Sequence, residues 1–226
     1  MNESEERGHE LLLRGLEMMS QGPEAQVQAR ALVLEAAESN IPGALFFASE
    51  MLCNGWGGGF DRARAFDFLV RAAELGQTDA IYSLGYCYLA GGMGNLGYSD
   101  EVLNQKQVPR DVDKALALLT QAADAGHGLA ALRIAEHWES ESEDQPKLLM
   151  KAIDWYERSA VLGEPNSLIH LADFLILGKG VEKDHDQARQ LYQQAAESDD
   201  HCAVSAATQR LEQFDRLERI LGDEGS

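Results

Sequence analysis

The residues equipped for metal binding or covalent chemistry are six histidines, three cysteines and a run of carboxylates. His9, His127, His137, His170, His185 and His201 are scattered: no two stand four apart as a helical metal pair would, and there is no HExxH motif. Cys53, Cys87 and Cys202 have no recognisable nucleophile context, and buried free thiols commonly act as small apolar groups in helical cores. Glu136, Glu139, Glu141, Glu143 and Asp144 lack the Asp-x-Asp-x-Asp-Gly order and closing glutamate of a helix-loop-helix calcium site. Two readings of that run stay open, a solvated charged surface and a docking patch for lysine-rich sequence. The glycines at Gly57 to Gly59 and Gly178 to Gly180 form no phosphate-binding loop, and no SxxK nucleophile motif is present. The expectation is a protein without catalytic residue, metal or cofactor.

If side chains do not carry the function, the elements that present them must. Thirty-eight acidic residues against nineteen basic ones give a formal net charge of −19, which repels phosphate backbones and anionic lipid headgroups. Nucleic acid and membrane surfaces are thereby disfavoured, and a basic protein or peptide is attracted. The first twenty residues show no export signal, no window approaches a membrane-spanning apolar run, and three cysteines form no disulfide framework. Cytoplasmic residence is expected.

The organising signal is a repeat. AAESN, AAELG, AADAG, SAVLG and AAESD end at Asn40, Gly76, Gly126, Gly163 and Asp199, at intervals of 36, 50, 37 and 36 residues. Eleven residues before each mark stands Ala29, Ala65, Ala115, Ala152 or Ala188; four after it stands Ala44, Ala80, Ala130, Ser167 or Ala203. Small residues at fixed offsets let neighbouring helices approach closely, and periods of this size belong to helical solenoids. Each period reads as two helices. DRARAFDFLVRAAELG places Ala65, Phe66, Leu69, Ala72 and Ala73 on one stripe and stops at Gly76; QTDAIYSLGYCYLAGG repeats the pattern, with Thr78 or Asp79 as the expected cap.

These residues resemble the Sel-one-like repeat (SLR), a relative of the tetratricopeptide repeat. Ala80, Leu84, Gly85, Tyr88 and Gly91 match its first helix; Gly178, Gly180, Val181, Asp184, Ala188 and the Ala195-Ala196 pair match its loop and second helix. The third copy departs most, with ESESEDQ in place of the glycine loop, and in the first copy Leu52 replaces the tyrosine. The predicted fold is all-α, an α-solenoid of about five antiparallel helix pairs; the resemblance implies a right-handed superhelix that mediates protein assembly. One domain is expected over 1–226: a capping pair at 1–40, repeats at 41–76, 77–126, 127–163 and 164–199, an inserted loop at 91–110, and a capping helix at 200–220. A cysteine-rich, secreted branch of the family is linked to β-lactam hydrolysis; this chain lacks its regular cysteine pairs, which leaves a hydrolase as the alternative reading.

The resemblance also implies that the first helix of each pair lines a concave surface. Offsets 4, 5, 8 and 12 after each mark are expected in the core, and offsets 7, 10 and 11 on the free face. The candidate partner-binding residues are accordingly Phe47, Glu50, Met51, Tyr86, Arg133, Glu136, His137, His170, Asp173 and Phe174. Tyr98 joins them from the inserted loop, whose Met93, Leu96, Val102 and Leu103 either pack on the solenoid or contact a partner. The sequence thus points to an adaptor for a basic protein or peptide, and in a narrower version to an immunity protein or chaperone for a bacterial toxin or effector.

Overall fold

The computed structural model describes residues 3–92, 108–143 and 145–223, with side chains as far as residue 216. Among the described residues there are eleven α-helices and no strand: α1 Glu3–Met18, α2 Pro23–Glu38, α3 Pro42–Asn54, α4 Arg62–Glu74, α5 Thr78–Ala90, α6 Val112–Asp124, α7 Gly128–Ser140, α8 Pro146–Val161, α9 Pro165–Leu177, α10 His185–Ala196 and α11 His201–Asp223. No described helix is long and apolar enough to cross a membrane. Two compact units divide the chain, Met1–Ala125 and Gly126–Ser226. In the first, the tightest neighbours are α1 with α2, α3 with α4, and α5 with α6; in the second, α7 with α8 and α9 with α10, closed by α11.

The ten small residues at the two repeat offsets explain how the pairs pack. Ala29, Ala65, Ala115, Ala152 and Ala188, and likewise Ala44, Ala80, Ala130, Ser167 and Ala203, have no exposed surface. A larger side chain at any of them would push two helix axes apart in a close-packed interior. The marks themselves are turns: Gly76, Gly126 and Gly163 have φ of 84, 95 and 90°, and Asn40 holds the same left-handed conformation at 60°. Asparagine is the residue that tolerates this region best after glycine, so the first copy keeps the turn with a different side chain.

Helix starts are equally repetitive. Asp61, Asp111 and Asp184 cap α4, α6 and α10, each carboxylate accepting a hydrogen bond from the backbone N–H three residues on. Their own N–H groups donate to the carbonyls of Leu52, Tyr88 and Leu175, tying each second helix to the end of its first. The third copy has no such cap: Gln145 precedes α8 with no side-chain bond, and Pro146 occupies the first turn instead. Two local expectations need correction. Gln77, not Thr78 or Asp79, caps α5 by accepting from the Asp79 N–H, and Phe68, 3% exposed, is the buried aromatic of α4 where Phe66 was expected. Phe68 lies three residues after Ala65 and four before Ala72, so it completes their stripe.

Candidate functional site

In the first unit, α3 and α5 carry the aromatic candidates. Phe47 stands 6.2 Å from Trp56, ring centre to ring centre, and Tyr82 stacks on Tyr86 at 6.2 Å with their planes 13° apart. Tyr88 accepts a hydrogen bond from Lys114 Nζ at 2.7 Å, and the same ammonium sits 4.1 Å above its ring. Glu50, three residues after Phe47 on α3, is half-buried. Burial raises its carboxyl above the ordinary range, opposed by a long 3.4 Å hydrogen bond from Asn54 Nδ2. No cation pairs with Glu50 among the described residues. Burial, with Cys53 and Glu50 nearby, also pushes the Cys87 thiol up to about 12, so it stays protonated and poorly nucleophilic at neutral pH.

Met51 corrects the predicted face. It has no exposed surface, and Cys87 at the same offset is 3% exposed. Offset 11 lies seven residues after offset 4 and three after offset 8, so it extends the buried stripe. Phe174, at that offset in the second unit, is corrected in the same way: it is 3% exposed and belongs to a core cluster with Leu132, Ile153 and Tyr156. His137, the remaining offset-11 residue, is partly exposed and lies 5.1 Å from the Trp138 ring. Offsets 7 and 10 do present partly exposed side chains: Phe47, Glu50, Ser83, Tyr86, Arg133, Glu136, His170 and Asp173. Tyr98 lies outside the described residues, as do 93–107 of the inserted loop and Asp144.

In the second unit the candidate charges on α7 and α9 have partners. Arg133 bonds Glu136 at 2.7 Å. Glu139 Oε2 accepts from the Tyr156 hydroxyl at 2.6 Å and lies 3.6 Å from His170 Nδ1; Glu139 Oε1 lies 3.9 Å from Lys179 Nζ. Tyr156 in turn stacks on His170 at 4.6 Å and tilts against Phe174 at 5.8 Å, so His170 and Phe174 do meet, through a residue of α8. Asp173 accepts from the Tyr192 hydroxyl and from Arg210 Nη2, the latter at 3.0 Å. Sequence reasoning missed Glu139 as a structural acceptor because it counted it with the acidic run. A signal existed: seven residues before the marks the copies read Val33, Leu69, Leu119, Tyr156 and Tyr192. Two hydroxyls at a core position demand acceptors.

Among the described residues no group of three or more histidines, cysteines or carboxylates is placed to hold a metal ion. What the arrangement offers is surface: partly exposed aromatic rings and the half-buried Glu50 on α3 and α5, and paired charges at Arg133, Glu136, Glu139 and Asp173 on α7 and α9.

The family model described as Sel1 repeat matches residues 42–77, 78–127, 129–163 and 165–200. Among solved structures the chain is similar to a protective antigen of uropathogenic Escherichia coli strains displaying an SLR fold, at 25% identity and a TM-score of 0.69 over 87% of this chain. It covers 39% of that antigen, about two fifths of its length. A Sel1 repeat protein from Oxalobacter formigenes is 20% identical with a TM-score of 0.71, over 90% of this chain and 76% of the other. An immunity protein from Pseudomonas aeruginosa is 14% identical with a TM-score of 0.53, over 93% and 82%. These likenesses fix the fold class as the all-α solenoid with SLR-type helix pairs.

Proposed function

This chain belongs to the Sel1 repeat family, and from that premise we propose that it is a protein-binding scaffold whose α3 and α5 receive a basic partner segment with an apolar anchor. The observation that carries this reading is Glu50, a half-buried carboxylate without a cation among the described residues, three residues after Phe47 on α3 and close enough to Cys87 of α5, the neighbour in sequence of Tyr86, to act on its thiol. A carboxylate that burial has made costly to ionise gains more from an arriving lysine or arginine than an exposed one does. The flanking rings supply what interface anchors use, large rigid apolar area and faces that attract cations. The net charge of −19 adds long-range attraction for such a segment.

A finer version makes the basic segment part of a toxin or effector that the scaffold neutralises. Its support is the acidic balance; the likeness to an immunity protein is one of fold alone. Cytoplasmic residence belongs to the same reading, supported by the free thiols of Cys53 and Cys87.

The test is a photo-crosslinking amino acid at position 47 or 86, with the exposed position 75 as control, in lysate of the native host. Sequencing of the crosslinked peptides should return one lysine- or arginine-rich segment from positions 47 and 86, absent from 75 and lost on Glu50→Gln. Equal capture at all three positions would remove the assignment of this face.

A further inference from the structure

The other unit, Gly126–Ser226, carries a second surface. Along α9, Leu168, Leu171 and Leu175 floor an open groove of about 850 Å³, walled by Ile153 of α8, Leu191 of α10 and Val181 of the loop between α9 and α10. Gly180 lets that loop approach: a Cβ there would come within 2.8 Å of Leu149 and 2.9 Å of Ile153.

The repeat register shows why this groove is unusual. Offsets 5 and 8 after the mark are Leu45 and Ala48 in α3, Ile81 and Leu84 in α5, and Ala131 and Ile134 in α7, all buried. In α9 the same offsets are Leu168 and Leu171, and both are partly exposed. Core-type positions are thus only half covered in α9, where Leu168 and Leu171 pack on the buried clusters with one side and keep the other free, and where, unlike in α11, both offsets are partly exposed. The lip agrees with the floor. Two residues before the marks the copies read Glu38, Glu74, Asp124, Val161 and Glu197, so four carboxylates correspond to one valine. Val161 lines the groove and is 86% exposed, an apolar side chain at a position that otherwise holds charge. The rim is acidic: Glu157 and Glu182 are exposed, and neither makes an ion pair among the described residues, while Lys183 lays its stem over Gly178.

We propose that this groove docks an amphipathic α-helix of a partner protein, its leucine-type residues seated on Leu168, Leu171 and Leu175 and its lysines or arginines facing Glu157 and Glu182. The three floor leucines follow i, i+3, i+7, a line of about 10 Å that an incoming helix matches with apolar residues at the same spacing. The groove opens to solvent and does not enclose its contents, which suits a helix face better than a compact small molecule, and the exposed Glu157 and Glu182 on its rim select the sign of the helix's flanks. This surface lies on α8, α9 and α10 and does not depend on the reading of α3 and α5.

The probe is a synthetic peptide of about four helical turns, with leucine at i, i+3 and i+7 and lysine on the remaining face. Two controls accompany it, one with the same composition in shuffled order and one with glutamate for lysine. Binding is read by anisotropy and by methyl NMR of the intact chain. The expected result is selective shifts at Leu168, Leu171, Leu175 and Ile153 with the patterned basic peptide. Affinity should fall at least about tenfold in Val161→Lys and in Leu171→Gln, and stay unchanged in Leu75→Lys, which adds the same charge at an exposed position outside the groove. Val161 is on the surface, so that variant keeps its fold even if Leu171→Gln does not. Equal binding of the shuffled peptide, or shifts confined to α3 and α5, would overturn the proposal. So would a concentration-dependent dimer that Val161→Lys dissociates, since a second copy would then be the occupant.

Discussion

The Tyr156 hydroxyl, on a side chain with no exposed surface, donates its hydrogen to Glu139 Oε2 across 2.6 Å, which joins α8 to the last turn of α7. A hydrogen bond to a charged acceptor contributes about 1.5–3 kcal/mol at full burial, but Glu139 is 29% exposed and water competes for it. Tyr156→Phe deletes donor and need together, and is expected to cost about 1 kcal/mol. Glu139→Ala strands a buried hydroxyl and is expected to cost about 2 kcal/mol. Urea unfolding of both single variants and the double one should show the double no worse than Glu139→Ala. Strict additivity would mean that the two side chains do not act on each other.

Ser167 offers the opposite sign. Its hydroxyl is fully buried with no hydrogen-bond partner among the described residues, at the position where the other four copies have alanine. Ser167→Ala removes an unsatisfied polar atom and leaves the backbone and methylene packing as they are, so thermal unfolding should shift upward, by about 1 kcal/mol in stability. A loss of stability would mean that the hydroxyl has an acceptor.

Tyr156 and Tyr192 predict alkaline behaviour. Burial, and then the hydrogen bonds to Glu139 and Asp173, raise both phenols above their ordinary value. The unfolded chain releases these protons near pH 10, where the folded chain still holds them. Their contribution is therefore complete below that pH and lost as pH rises past it. Absorbance at 295 nm should show the exposed tyrosines titrating first, and these two ionising only together with loss of the helical signal. In the Tyr156→Phe, Tyr192→Phe double variant, stability should fall less steeply above pH 10 than in the parent.

Most of the repeat was legible because it rests on residues with few alternatives. An alanine that must let two helices touch, or a glycine or asparagine that must turn left-handed, leaves its mark at a fixed offset, as Ala115 and Gly126 do. The free face was harder to read. A 3.6-residue period divides side chains into inside and outside only to within about half a turn, and in a stack each first helix is covered from more than one side. Met51, Cys87 and Phe174 fell on that boundary and are core. Glu139 was obscured for another reason: its role depends on Tyr156, seventeen positions away, and no local pattern connects them.

That boundary yields a comparison within one turn of α3. Met51→Ala empties a fully buried site and is expected to cost about 2–5 kcal/mol, with little change in surface chemistry. Phe47→Ala removes a partly exposed ring that touches Trp56, and is expected to cost about 1 kcal/mol or less while abolishing capture by the α3 and α5 face. Chemical denaturation and the crosslinking yield, measured on both, should rank them in opposite orders. The same order in both measurements would return Phe47 to the core.

Glu50 sets the pH dependence of that capture. Its raised carboxyl is protonated over part of the range in which an exposed glutamate is charged, so stability falls as pH rises from the ordinary carboxyl value through the raised one. Binding a lysine or arginine favours the ionised form, so affinity for a basic segment should grow across the same window with release of a proton. Glu50→Gln should flatten both curves and weaken binding by about three- to tenfold. The association rate follows different physics, because it answers to the −19 of the whole chain: raising ionic strength should slow association of parent and variant alike, leaving the dissociation rate nearly constant. Stopped-flow traces in which salt acts on dissociation instead would assign the attraction to close contacts, and the acidic surface would lose its role in steering.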